Sequence, residues 1–338
     1  MKRRDFLARA AAVGLGAAAA FSAEGKRDDD ELPFLGEFGP PKSLQQPRRH
    51  KKPTRLARRQ YGLKGPELSL VGLGGIVVSE IEQKDANEIV AWAVDRGVNY
   101  FDVAPTYGNA QERLGPALKP YRKKAFLACK TGKRDAAGAQ AELEQSLKLL
   151  QTDHFDLYQL HGLTKVEEVA QALGPGGALE AFSRAREKGQ VRYLGFSAHS
   201  IEAALKALDG FHFDSMLFPV NVVCIQNGHF GPQVLEHASK RSVACLALKA
   251  LAWTPWPKDA EKKYPKCWYQ PIDDPALASL ALRFTLDQPV VAVLPPGDVR
   301  LFKLAVEAAL EYKPLSDAEK QDLRLRTVGV EPIFKAES

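Results

Sequence analysis

From residue 61 onward, short runs rich in Val, Leu, Phe and Tyr alternate with longer segments whose apolar residues recur at helical spacing. The runs at 68–74, 99–103, 125–130, 155–161, 191–197, 215–220, 243–249 and 290–294 predict strands. The segments near 83–96, 110–119, 137–150, 178–188, 200–208, 232–241, 275–287 and 299–310 predict helices. Strands that are apolar on both faces and separated by helices belong in a parallel sheet. Eight such units over about 250 residues match a closed (β/α)8 barrel, the TIM-barrel architecture of the α/β class. A doubly wound sheet alternates in the same way but opens with G-x-G-x-x-G after its first strand. Gly72-Leu73-Gly74-Gly75 lacks the third glycine at that spacing. Residues 58–66 suit a small hairpin that closes the bottom of the barrel.

The sixty residues before this pattern read differently. Met1-Lys2-Arg3-Arg4-Asp5-Phe6-Leu7 is a basic head, and the stretch from Ala10 to Ala20 is short, weakly apolar and made of small residues. That order is the mark of an export signal over 1–23, and the Arg3-Arg4 pair before Phe6-Leu7 resembles a twin-arginine signal. The expectation is a folded chain handed to export machinery and delivered to the periplasm; an uncleaved, exposed helix is the alternative. Residues 24–60 are polar and broken by Pro40, Pro41, Pro47 and Pro53, which predicts a tether, and 61–338 would form the barrel.

Composition narrows the function. The chain has 338 residues, 45% apolar and 26% charged, which is ordinary for a globular protein. Its net charge is +6, but residues 1–23 carry +3 and 24–60 carry +4, leaving −1 for the rest. A near-neutral body gives no support for a nucleic-acid surface. No stretch of eighteen strongly apolar residues exists to span a membrane. Cys129, Cys224, Cys245 and Cys267 lie far apart, so no metal-ligand spacing is present.

Three predicted strands finish with ionisable residues. The second ends in Asp102, the third in Lys130 and the fourth in His161, and Tyr107 follows Asp102 by five positions beside Gly108. In a parallel barrel the carboxyl ends of neighbouring strands converge on one pocket. Taken singly, Asp102 is a helix cap, Lys130 a paired charge, His161 a core imidazole and Tyr107 a turn residue. Together they suit carbonyl reduction. A hydride arriving at a carbonyl carbon leaves charge on oxygen, and that oxygen needs a proton. Tyr107 can donate it, Lys130 makes the phenol more acidic, Asp102 holds Lys130, and His161 orients the carbonyl. No side chain supplies hydride, so a nicotinamide cofactor is required.

These residues sit in recognisable motifs. Phe101-Asp102-Val103-Ala104-Pro105-Thr106-Tyr107-Gly108, Cys129-Lys130-Thr131-Gly132 and Leu157-Tyr158-Gln159-Leu160-His161 resemble the aldo/keto reductases, and the resemblance runs from about Leu70 to Glu311. It implies a (β/α)8 barrel, a small-molecule aldehyde or ketone as substrate, NADPH as cofactor with NADH the alternative, and Asp102, Tyr107, Lys130 and His161 as the catalytic tetrad. It also places Gly297, Asp298, Lys303 and Glu307 along the adenosine-phosphate arm, at a helix start that offers free N–H groups. Lys303 is its first candidate for a 2′-phosphate partner and Arg300 the second. Ser197 falls in the segment that meets the nicotinamide amide, and Leu248 falls where many members put an aromatic ring. Three positions depart from the family pattern: Ala198 replaces an Asn, Leu217 a Gln, and Leu248 the aromatic. His199 or Asn221 would have to substitute. Those departures motivate a second reading, a binding or regulatory barrel without efficient chemistry. The segment 250–274, with Trp253, Trp256, Tyr264, Trp268 and Tyr269, follows a strand and reads as a substrate wall or as a loop packed on itself.

Overall fold

The computed structural model describes residues 53–336. Eight parallel strands form one sheet in chain order: β1 (Leu73–Gly74), β2 (Tyr100–Asp102), β3 (Phe126–Thr131), β4 (Phe155–Leu163), β5 (Val191–Ala198), β6 (Ser215–Pro219), β7 (Ala244–Leu248) and β8 (Ala292–Leu294). The sheet curls until its edges meet. Gly72 N donates to Val293 O at 2.9 Å, and Val293 N donates to Leu70 O at 2.9 Å. Glycine is required at this seam, because a Cβ on Gly72 would lie 2.4 Å from the Tyr100 ring. The result is the expected (β/α)8 barrel.

Helices return the chain between strands and cover the barrel. Gln83–Asp95, Ala110–Leu118, Ala136–Leu149, Ala178–Glu187, Ile201–Gly210, Pro232–Lys240, Pro275–Leu286 and Val299–Leu310 match the segments read from periodicity within two residues at either end. Several begin at a side-chain cap that satisfies a free backbone N–H. Asp135 accepts from Gly138 N at 2.7 Å, Ser200 from Ala203 N at 3.2 Å and Asp274 from Leu277 N at 2.8 Å. Periodicity did not reveal three further helices. Val166–Leu173 and Val222–Gln226 are short, and Asp317–Thr327 buries only Leu323 and Thr327.

The beginning of the body also differs. Where one strand was expected at 68–74, Glu67–Ser69 pairs antiparallel with Arg58–Gln60, and only Leu73–Gly74 joins the barrel. The Ser69 hydroxyl donates to Val71 O at 2.8 Å, which turns the chain between the two pieces. The hairpin drops Tyr61 under the barrel, where it is 1% exposed and donates to Ser215 Oγ at 2.7 Å. Leu56 is buried and its N–H donates to Arg96 O at 2.8 Å, so packing starts before residue 61. The signal read over 1–23 and the tether up to residue 52 lie outside the described residues. Among the described residues no helix is long and apolar enough to cross a membrane.

Candidate active site

Alternation along a strand sends every second side chain into the barrel. Tyr100 and Asp102 on β2, Lys130 on β3, and Gln159 and His161 on β4 share that inward phase, and Lys130 is in register with Gln159. The Lys130 ammonium is ion-paired with Asp102 Oδ1, and the two side chains are 0% and 2% exposed. Asp102 Oδ2 accepts from Gln159 Nε2 at 3.1 Å and from the Tyr100 hydroxyl at 3.3 Å. The carboxylate is thus clamped from three strands.

Tyr107 lies in the turn before Ala110–Leu118 and folds back over this pair. Lys130 Nζ is 5.1 Å from its ring centroid, and its ring meets the His161 ring edge-on at 5.6 Å. His161 Nδ1 is 3.5 Å from Thr106 Oγ1. The four residues read from the strand ends therefore share one mouth of the barrel.

Burial sets their protonation. It raises the pKa of the Tyr107 phenol, and the opposing pull of Lys130 does not undo the rise. Burial also works to lower Lys130, but Asp102 and Tyr107 outweigh it and its pKa ends above the usual lysine value. His161 is pushed down to about 3, first by burial and then by the cations Lys130 and Arg134, with His199 and Lys249 adding to the effect. Its imidazole is neutral at physiological pH.

The quartet opens into a cavity of about 360 Å³. Ser197, Leu217, Leu248 and Gly297 line it. A second hollow of about 560 Å³, lined by Asp298 and Lys303, shares Lys266 with the first. The second hollow lies at the start of Val299–Leu310. Asp298 caps that helix at Arg300 N (2.9 Å) and pairs with the Arg300 guanidinium at 2.9 Å. Lys303 Nζ sits 5.3 Å from the Trp92 ring centroid. Two of the expected cofactor residues, Asn221 as a substitute and Glu307 by resemblance, have partners within the protein. Asn221 is buried and caps Val222–Gln226, accepting from Cys224 N at 2.8 Å. Glu307 pairs with Arg96 at 3.1 Å on the outer surface.

Ser197 Oγ accepts from Gly162 N at 2.7 Å, where β4 bulges between Leu160 and Leu163. Its hydroxyl proton stays free to donate. Apolar Leu217, Leu248 and Leu294 line the same cavity as the quartet. The 250–274 segment packs partly on itself and partly lines the cavity. Ala252–Pro255 and Tyr269–Pro271 form a hairpin, and Tyr264 and Cys267 pack on Leu301 in a small core of their own. The same segment gives Lys266, Trp268 and Tyr269 to the cavity wall.

Sequence reasoning passed over Tyr100, Gln159, Lys266 and Phe334. The first two were within reach, since each stands two residues before a site residue on the same strand. Lys266 donates to Ser79 O at 2.5 Å across the cavity mouth. Phe334 stacks on the His199 ring at 5.6 Å. No local pattern announces either contact.

The sequence profile described as "Aldo/keto reductase family" matches residues 70–319. The uncharacterized oxidoreductase YqkF of Bacillus subtilis is 31% identical over 157 residues, covering 42% of this chain and 49% of that protein. The aldo-keto reductase YhdN of Bacillus subtilis is 34% identical over 160 residues, covering 41% of this chain and 46% of that protein. The chain thus spans about half the length of these curated relatives. Among solved structures, the holo form of the aldo-keto reductase AKR11C1 from Bacillus halodurans superposes with a TM-score of 0.66 at 23% identity, covering 84% of this chain and 99% of that one. At that identity the likeness speaks for the fold.

Proposed function

Because this chain belongs to the aldo/keto reductase family, we propose that it is an oxidoreductase that reduces an aldehyde or ketone to an alcohol with a nicotinamide cofactor, NADPH before NADH. The observation that carries the reading is the convergence of Asp102, Lys130 and His161 from three successive strands under the ring of Tyr107.

The residues fit such a cofactor. Leu217, Leu248 and Leu294 suit a heterocycle, and Lys266 and Lys303 suit phosphates near the helix start. Gly297 lines the cavity at that end and packs directly on Ile76, since a Cβ on it would lie 2.3 Å from that side chain. The free hydroxyl proton of Ser197 is a donor for the carboxamide. When bound, the nicotinamide ring supplies the hydride.

The side chains manage the proton. Tyr107 holds it at Oη at neutral pH, because burial raises the phenol's pKa. Lys130, kept charged by Asp102, lowers the cost of the phenolate left when that proton moves to the substrate oxygen. Neutral His161 aims the carbonyl by hydrogen bonding without setting another cation beside Lys130.

Tyr107→Phe tests this with NADPH and a panel of aldehydes. Turnover is expected to fall by roughly 10²–10⁴-fold, while cofactor fluorescence titrates as in the parent. A variant with parental turnover removes Tyr107 as the acid.

A second reading has its own support. Ala198, Leu217 and Leu248 take away hydrogen-bonding and stacking partners, as in a barrel that binds without efficient chemistry. Absence of any NADPH binding at high micromolar concentration would favour it. Export through a twin-arginine signal to the periplasm rests on residues 1–23 alone. Cell fractionation checks it: an Arg3→Lys/Arg4→Lys variant should stay in the cytoplasm.

A further inference from the structure

The lining of the catalytic cavity is unevenly charged. It carries Lys130, Lys249 and Lys266 against one carboxylate, Asp102. Lys130 is matched by Asp102, and Lys266 donates to Ser79 O. Lys249 is different. Its Nζ lies 5.1 Å from the Trp268 ring centroid and 5.5 Å from that of Tyr269. Among the described residues it makes no hydrogen bond and no ion pair. The buried cations Lys130 and Arg283 have oxygen partners, Arg283 having Glu319 and two backbone carbonyls. Two aromatic faces compensate a half-buried ammonium only in part.

A second unpartnered group faces the same cavity. His199 Nε2 is buried without a hydrogen bond, although the ring is held in place by stacking on Phe334. The imidazole is kept neutral, pushed to about 3 by burial and then by Lys249 and Lys130, so it has one N–H to give. An ammonium in the cavity wall and a buried N–H donor, both unused, are complementary to one kind of group. Lys249 is also held with a φ of +64°, in the left-handed region that disfavours a side chain. A strained backbone beside a cavity fits a residue kept for binding rather than for packing.

We propose that Lys249 and His199 form an anion-recognition pair in the wall of the catalytic cavity, reading a carboxylate or phosphate on the molecule bound there. Resting on the reductase reading, the preferred source is the substrate, a carbonyl compound that carries its own negative charge. The other source is a phosphate of the cofactor.

Lys249→Met, Lys249→Arg and His199→Gln, each in the full chain, decide between them. Two probes, 4-carboxybenzaldehyde and methyl 4-formylbenzoate, differ in one charge. If the substrate is read, the parent prefers the charged aldehyde in kcat/KM, and Lys249→Met reduces that preference by roughly 10–100-fold, mainly through KM. Lys249→Arg restores part of it, and His199→Gln loses less. If the cofactor is read, Lys249→Met weakens NADPH and inorganic pyrophosphate binding, and both aldehydes lose equally. Unchanged selectivity together with unchanged NADPH affinity in Lys249→Met overturns the pair. Should the parent reduce neither aldehyde, the reductase reading is what is in question. Calorimetry with benzoate and pyrophosphate then tests the pair by itself: binding to the parent that Lys249→Met abolishes supports it, and no difference between the two overturns it.

Discussion

At the end of the barrel where the strands begin, Tyr61 packs against Phe126 and Tyr193, each ring pair 5.1 Å apart, and gives its hydroxyl proton to Ser215. Leu157, Leu217, Leu246 and Ala292 continue this filling through the interior. At the other end the same inward-facing phase carries Asp102, Lys130, Gln159 and His161. Groups there are left incompletely satisfied: Gln159 Oε1 and His199 Nε2 have no hydrogen-bond partner. Tyr100 joins the two ends, with its ring 6.0 Å from Phe126 and its hydroxyl on Asp102. One set of strands thus supplies a floor made for stability and a mouth where stability is given up to hold charge. The division follows from geometry. Strand ends that lead into helices can present loops and helix N-termini, whereas the hairpin seals the opposite end.

The largest expected effect breaks the mouth. Lys130→Met should lower turnover by roughly 10²–10⁴-fold. It should also destabilise the protein by about 3–5 kcal/mol, because Asp102 stays buried without its cation. The double variant Asp102→Asn/Lys130→Met should recover most of that stability and none of the turnover. Urea unfolding and initial rates measure the two separately. A double variant as unstable as the single one would mean that the pair serves packing more than chemistry. Next comes the floor. Tyr61→Phe removes the donor to buried Ser215 and should cost about 1–2 kcal/mol, with turnover per folded molecule unchanged. A fall in turnover would show that the two ends are coupled through Tyr100.

These ends were unequally legible in the sequence. The barrel followed from alternation, because buried parallel strands and amphipathic helices have distinct periods. The quartet was visible because polar residues closing apolar runs are conspicuous. Gln159 has the same phase as His161 but sits inside a run, where one amide reads as core. Asn221, offered as a substitute, and Glu307, placed by resemblance, have protein partners that the sequence does not announce. Whether a residue faces a cleft depends on helix rotation and on nearby competitors, here Cys224 N for Asn221 and Arg96 for Glu307. Lys249 follows Leu248 at the end of an apolar run, but its isolation depends on what is missing around it in space. Phe334 reaches His199 because Asn227 Nδ2 donates to Thr327 O and Val330 O, at 2.7 and 2.8 Å, and ties down the tail. Contacts separated by a hundred residues leave no local pattern.

Acid should separate the two ends as well. His161 and His199 are both held near 3 in the folded chain, well below the ordinary 6.5. An unfolded chain takes up protons there that the folded chain refuses, so stability falls as pH drops below about 6.5 and continues to fall toward 3. Each imidazole contributes a slope of up to about 1.4 kcal/mol per pH unit. His199→Gln should flatten the dependence between pH 6 and 4 by roughly 1 kcal/mol per unit, seen as a smaller spread of urea midpoints. Tyr61→Phe should leave the slope as it is. An unchanged slope in His199→Gln would mean that water reaches the imidazole and lets it charge.

The smallest effects come from helix caps, which in this fold cluster at the mouth because helices begin where strands end. Ser200→Ala and Asp298→Ala each remove one cap and should each cost about 1 kcal/mol in urea unfolding. Their consequences for binding should differ. Ser200 bonds Ala203 N and Glu202 and lines neither the catalytic cavity nor the hollow beside Lys303. Asp298 also neutralises Arg300, whose guanidinium lies 4.6 Å from the Tyr264 ring centroid, beside Lys303 on the same helix. Freeing that guanidinium leaves one more positive charge near the proposed 2′-phosphate site. Asp298→Ala should therefore favour NADPH over NADH by a few-fold more than the parent, a modest gain because Arg300 is half exposed and screened by salt. Equal shifts for both cofactors would place the phosphate elsewhere. Loss of NADPH affinity would assign Asp298 a direct role in holding the nucleotide, in addition to capping the helix.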